Sequence, residues 1–168
     1  MIKSLLKWLR IILSTMFFIG FIPLAPGTLG SLITIVILWF SMDIVSPYFL
    51  ASNAVTFWYL YLLLLCITIF ITDKAKENFG VEDPKQIIID ESVGQLITFF
   101  LIPLSWRVLI LGFLLFRFYD IVKPFPVYKF EDLEDGLGIT MDDVVAGILA
   151  NISLFIILWF YHVIKAYL

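Results

Sequence analysis

Apolar positions along this chain gather into runs separated by short polar stretches, and the lengths of those runs predict helices. The runs are roughly Leu5 to Ile22, Leu29 to about Val45, Val55 to Thr72, Ser92 to Leu104, Val108 to Val122 and Val144 to Tyr161. A helix that crosses a bilayer needs ~20 apolar residues, with a range of about 17–25. The third and last runs meet that length, whereas the second and the two between Ser92 and Val122 are short for a span. Ser92 to Val122 therefore reads as a hairpin of two short helices turning at Pro103–Arg107. In the first run Lys3, Lys7 and Arg10 recur at spacings of four and three. That spacing puts them near one helical face, so its first half reads as an amphipathic helix lying in the interface. Pro23 and Pro26 are expected to break it. Asp73–Asp90 and Lys123–Met141 read as polar connections, the second turn-rich at Asp135-Gly136-Leu137-Gly138. The pattern predicts an all-α integral membrane bundle with short or re-entrant helices. It is one domain, 1–168, with an interfacial helix in 1–25 and a motif-bearing core in 26–151.

Composition sharpens this picture. Apolar residues make up 62% of the 168 residues, against about 45–50% in soluble domains. A net charge of −3 gives no sign of nucleic-acid binding. The single cysteine, Cys66, lies inside an apolar run with no metal-ligand spacing around it, which suits packing or a lipid-facing place. The single histidine, His162, excludes any mechanism that needs two histidines in one chain. No small-residue cleavage site follows the basic N-terminus, so that segment is expected to stay on the protein. If the N-terminus, 73–91 and 123–141 share one side, that side holds Lys3, Lys7, Arg10, Lys74, Lys76, Lys85, Lys123 and Lys129. The other side holds Arg107 and Lys165. This imbalance makes the first side cytoplasmic.

Ionisable groups beside or within the bilayer are costly and point to function. Asp90-Glu91 and Asp142-Asp143 each directly precede an apolar run. Hard carboxylate oxygens suit Mg²⁺, Mn²⁺ or Ca²⁺, so the four residues are candidate metal ligands and catalytic groups. The plainer reading is helix capping, which accounts for one acid of each pair. Gly94 follows Asp90 by four residues, and Gly147 and Asn151 follow Asp143 at helical spacing. Small residues there allow close helix packing. Arg117, Asp120 and Lys123 are three apart and form one ionisable stripe. Arg117 and Lys123 suit a phosphate as guanidinium fork and ammonium charge. The alternative is an internal salt bridge with Lys123 reaching to the interface. Pro26-Gly27-Thr28-Leu29-Gly30-Ser31 opens a helix, where exposed N–H groups attract anions. Gly27, Thr28 and Ser31 are thus candidate phosphate contacts, although Pro-Gly-Thr is also an ordinary turn and cap.

Taken in order, PGTLGS at 26–31, IIIDESVGQ at 87–95, FRFYDIVKPFP at 116–126 and GLGITMDDVVAG at 136–147 resemble the bacterial phosphatidylglycerophosphatase A family. The resemblance implies a multi-pass, Mg²⁺-dependent enzyme of the bacterial inner membrane, its active site on the cytoplasmic face. Its substrate would be a phospholipid, phosphatidylglycerophosphate, losing its terminal phosphate to give phosphatidylglycerol. It implies a metal site at Asp90, Glu91, Asp142 and Asp143, with Arg117, Asp120 and Lys123 near the phosphate. Two other readings compete. A CDP-alcohol phosphatidyltransferase also uses membrane-surface Asp residues and Mg²⁺, but its acids are spread more widely than Asp135-Gly136 and Asp142-Asp143. A non-enzymatic transporter would set its acids at mid-depth on opposing helices, whereas these lie at the ends of apolar runs.

Overall fold

The computed structural model describes residues 2–81 and 84–167, and the side chain of Lys3, counted above among the basic residues, lies outside the described side chains. Among the described residues there are eight α-helices: α1 (Ile2–Ser14), α2 (Pro26–Phe40), α3 (Met42–Val45), α4 (Ala54–Thr72), α5 (Ala75–Phe79), α6 (Ile89–Ile97), α7 (Trp106–Val122) and α8 (Asp135–Tyr167). No strand occurs among the described residues. The predicted all-α bundle is the observed one. Residues 51–72 and 135–166 are long and apolar enough to cross a membrane. A third candidate is α2 taken with 42–49, bent by 80°. At that bend Ser41 Oγ donates to the Ile37 carbonyl at 2.6 Å and ends the straight helix.

The first apolar run departs from expectation. α1 stops at Ser14, well before Pro23. Thr15 Oγ1 donates to the Ile11 carbonyl at 2.7 Å. Met16, Phe17 and Phe18 then all take positive φ, a conformation that L-residues avoid and that cannot continue a right-handed helix. Pro26 opens α2 at its first turn, in keeping with the reading of Pro26–Ser31 as a helix start, and its missing N–H costs nothing there. The end of α1 also positions the site, because Ile88 N–H donates to the Ser14 carbonyl at 2.9 Å just before α6 begins.

The turn-rich reading of 135–141 is likewise corrected. α8 begins at Asp135, so Asp142 and Asp143 sit two turns inside it and not at its start. Capping therefore cannot explain that pair. Gly136 serves close packing: a Cβ there would run into the Ile69 carbonyl and Thr72 of α4. α8 has 33 residues, about 50 Å at 1.5 Å per residue. That exceeds a ~30 Å hydrocarbon core, so its acidic first turns have room to project beyond the lipid.

In lipid, helices associate through close packing and interhelical hydrogen bonds, since apolar surface gains little by leaving lipid tails. α6 and α8 do both. Asp90 and Asp143, Gly94 and Gly147, and Thr98 and Asn151 pair at one constant offset of 53. A Cβ on Gly147 would strike the Gly94 carbonyl, and one on Gly94 would strike that of Asp143. Below this crossing Asn151 Nδ2 donates to the carbonyls of Thr98 (2.9 Å) and Phe100 (2.8 Å). The two helices therefore run in the same sense, with their acids together one turn (~5.4 Å) above the glycine contact.

Candidate active site

The starts of α2, α6 and α8 and the end of α7 meet around one cleft of about 820 Å³. Its lining includes Gly27, Asp90, Glu91, Arg117, Asp120, Lys123, Asp142 and Asp143. Sequence blocks far apart in the chain thus converge on one end of the bundle. The first turns of α2 and α6 bring positive dipole ends to this cleft, which favours anions there.

Asp90, Glu91 and Asp143 bring carboxylate oxygens within 4.8 Å of one another. Asp90 Oδ1, Glu91 Oε2 and Asp143 Oδ1 are buried without a hydrogen-bond partner. Burial pushes the Asp90 carboxyl up to about 7, hydrogen bonds from Glu91 opposing the shift and nearby Asp142 adding to it. Burial, then the Asp90 charge, holds Glu91 well above the usual carboxylate range. Two buried acids and the half-buried Glu91, each with an unused buried oxygen at this spacing, fit a hard divalent cation, which supplies the missing countercharge.

Asp142 stands apart from this trio. Its Oδ2 accepts from Lys123 Nζ at 2.8 Å and its Oδ1 from Asp143 N–H at 2.9 Å. Lys123, which takes positive φ just past the end of α7, also pairs with Glu131. Burial opposes the Lys123 charge, but its hydrogen bonds to Asp142 and Glu131 outweigh it and raise its pKa. Arg117 Nη1 pairs with Asp120 and lies 3.5 Å from Ser31 Oγ, while its Nε has no partner. The salt bridge within the stripe is thus present, and it faces the cleft.

Gly27 brings the first turn of α2 close to the side-chain ends of Glu91 and Arg117. A Cβ there would collide with Glu91 Oε1 and come within 3.2 Å of Arg117 Nη1. Ser31 is fully buried behind Arg117, its hydroxyl donating to the Gly27 carbonyl at 3.0 Å. Thr28 is half-buried and is not among the residues lining the cleft. The pattern of residues missed Lys76, Lys85 and the acidic stretch from Glu131 to Asp135, all of which line the cleft. Glu131 lies eight residues from Lys123, a separation that signals nothing unless the turn between them is known.

The sequence model of a family described as phosphatidylglycerophosphatase A matches residues 12–158. A Bacteroides thetaiotaomicron protein, named provisionally as a phosphatidylinositol-3-phosphatase, is 36% identical over 160 residues, 91% of this chain and 96% of that protein. The phosphatidylglycerophosphatase A of Haemophilus influenzae is 40% identical over 141 residues, 82% of each chain. That of Escherichia coli is 35% identical over 133 residues, 78% of this chain and 73% of its own. No solved structure matches.

Proposed function

The chain belongs to the phosphatidylglycerophosphatase A family, and from that premise we propose that it hydrolyses the terminal phosphate monoester of phosphatidylglycerophosphate with the help of Mg²⁺. The products are phosphatidylglycerol and inorganic phosphate. The observation that carries this reading is the close trio of carboxylates Asp90, Glu91 and Asp143 beside two cations in one cleft. Asp90, Glu91 and Asp143 would hold the ion, which supplies a Lewis acid for the phosphoryl oxygens.

The chain's own groups do the rest. Arg117 offers a fork of N–H donors to two phosphate oxygens, and Asp120 holds that fork toward the cleft. Lys123 adds a point charge, aimed by Asp142 and Glu131. The exposed N–H groups of α2's first turn at Gly27 complete an anion cradle. Together they neutralise charge that grows as the ester P–O bond breaks and water forms the new one. Ser31 supports Arg117 from behind. The excess of basic residues around this end of the bundle supports a cytoplasmic face of a bacterial inner membrane as its location.

The test is phosphate release by the purified full-length protein in detergent. Phosphatidylglycerophosphate should be hydrolysed with Mg²⁺, silenced by chelation and restored by added Mg²⁺. The name of the Bacteroides relative sets the comparison substrate, phosphatidylinositol 3-phosphate. A higher kcat/KM on that lipid would overturn the substrate assignment and leave the phosphatase chemistry intact. Undiminished release under chelation would overturn the metal.

A further inference from the structure

The cleft is charged for most of its lining, but Ala25, Pro26 and Ile121 also form part of it. Ile121 is the last member of an outward apolar stripe on α7 made of Ile110, Leu114, Phe118 and Ile121, each between 45% and 70% exposed. Spacings of four, four and three keep these side chains on one helical face. The stripe rises about 17 Å at 1.5 Å per residue, close to half of a ~30 Å hydrocarbon core. Arg117 lies three residues past Leu114 and four before Ile121, so it shares that side of the helix. The guanidinium that would take the phosphate thus stands beside the upper part of an apolar track.

Any lipid-facing helix is apolar outside, so apolarity alone explains nothing. What sets this face apart is that it runs unbroken into a charged cleft. On α8 no large apolar residue between Leu137 and Ile148 is exposed. On α2 the first exposed one after Ala25 is Leu32. α6 exposes none of its residues.

We propose that the α7 stripe is the track for an acyl chain of the lipid substrate. The phosphate sits among Arg117, Lys123 and the carboxylates, the glycerol crosses the rim at Ala25, Pro26 and Ile121, and one chain descends along Phe118, Leu114 and Ile110. This rests on the lipid phosphatase reading and adds to it where the lipid enters: laterally from the bilayer, along the outer side of α7.

Two measurements on the full-length protein decide it. The first compares kcat/KM for dioleoyl and for water-soluble short-chain phosphatidylglycerophosphate in Leu114→Asn, Phe118→Asn and the lipid-facing α8 controls Ile148→Asn and Ile152→Asn. The long-to-short ratio should fall about tenfold in the α7 variants, the scale of losing one buried apolar side chain, and stay within about twofold in the controls. The second needs no variant and no turnover. Wild-type protein in phosphatidylcholine nanodiscs is photolabelled with phosphatidylglycerophosphate carrying a diazirine in one acyl chain. Label should concentrate on 110–121 and disappear with excess short-chain substrate. Labelling spread evenly over lipid-facing helices, or an equal fall in the α8 controls, overturns the track. Label on 110–121 without any hydrolysis would keep the track and remove the proposed reaction instead.

Discussion

Asp142 and Asp143 are neighbours in the chain with different surroundings, so equal substitutions should act differently. Asp143 has an unpartnered oxygen facing Asp90 and Glu91. Asp143→Asn should lower phosphate release by about a hundredfold or more, because losing a charged ligand loosens the ion that would stabilise the transition state. Asp142 spends its oxygens on Lys123 and on a backbone N–H. Asp142→Asn should cost about tenfold, or ~1.4 kcal/mol, through a loosened Lys123, and the metal requirement should persist. Titrating activity against Mg²⁺ in both variants separates these cases, and identical profiles would refute the division of roles. Arg117→Lys keeps the charge and loses the fork, so activity should drop one to two decades, about 1.4–2.8 kcal/mol. If the Arg117–Asp120 pair were only structural, Arg117→Lys would stay active and Arg117→Ala would chiefly lose stability. Lys123→Ala should mainly raise KM, as expected when uniform substrate binding is lost.

Between helices, the contact of Gly94 with Gly147 holds the acids of α6 and α8 in register. Neither glycine is needed for a turn; each is where one helix backbone touches the other. Gly147→Ala inserts a methyl group against the Gly94 carbonyl. Overpacking of this kind costs about 1–3 kcal/mol. The variant should unfold at lower denaturant and bind divalent cation more weakly, because Asp143 lies one turn above the wedge. Calorimetric titration with Mn²⁺ alone reads the second effect. Loss of stability with unchanged Mn²⁺ affinity would mean that the crossing does not set the carboxylate spacing.

For the molecule as a whole, one cleft served by four helices requires all their contributing ends on one side of the membrane. Single cysteines at Val81 and Glu134, in a Cys66→Ser background, should both be shielded from an impermeant thiol reagent in intact cells. A cysteine at Ser52 should react. All three positions are exposed, so accessibility reports sidedness. Reaction at Val81 or Glu134 from outside would defeat the cytoplasmic assignment, and a split between them would defeat the single cleft.

The hydrophobic runs were enough to establish helices, a membrane and two full-length spans, because burial in lipid demands apolar length and internally satisfied backbone. The paired acids, Arg117 and Lys123 were also legible, because charge beside an apolar run is too costly to be incidental. Other features depended on contacts between distant segments. Asp142-Asp143 looked like a helix start because Gly136 and Gly138 resemble a turn; close approach to α4 explains Gly136 and lets α8 begin at Asp135. The first apolar run looked continuous as far as Pro23, yet α1 stops at Ser14. The separation of Asp142 from Asp143, the pairing of Lys123 with Glu131, and the meeting of Gly27 with Glu91 and Arg117 arise only when four helix ends converge. Local pattern encodes which residues are costly to bury, and tertiary packing decides which of them share the same few ångströms.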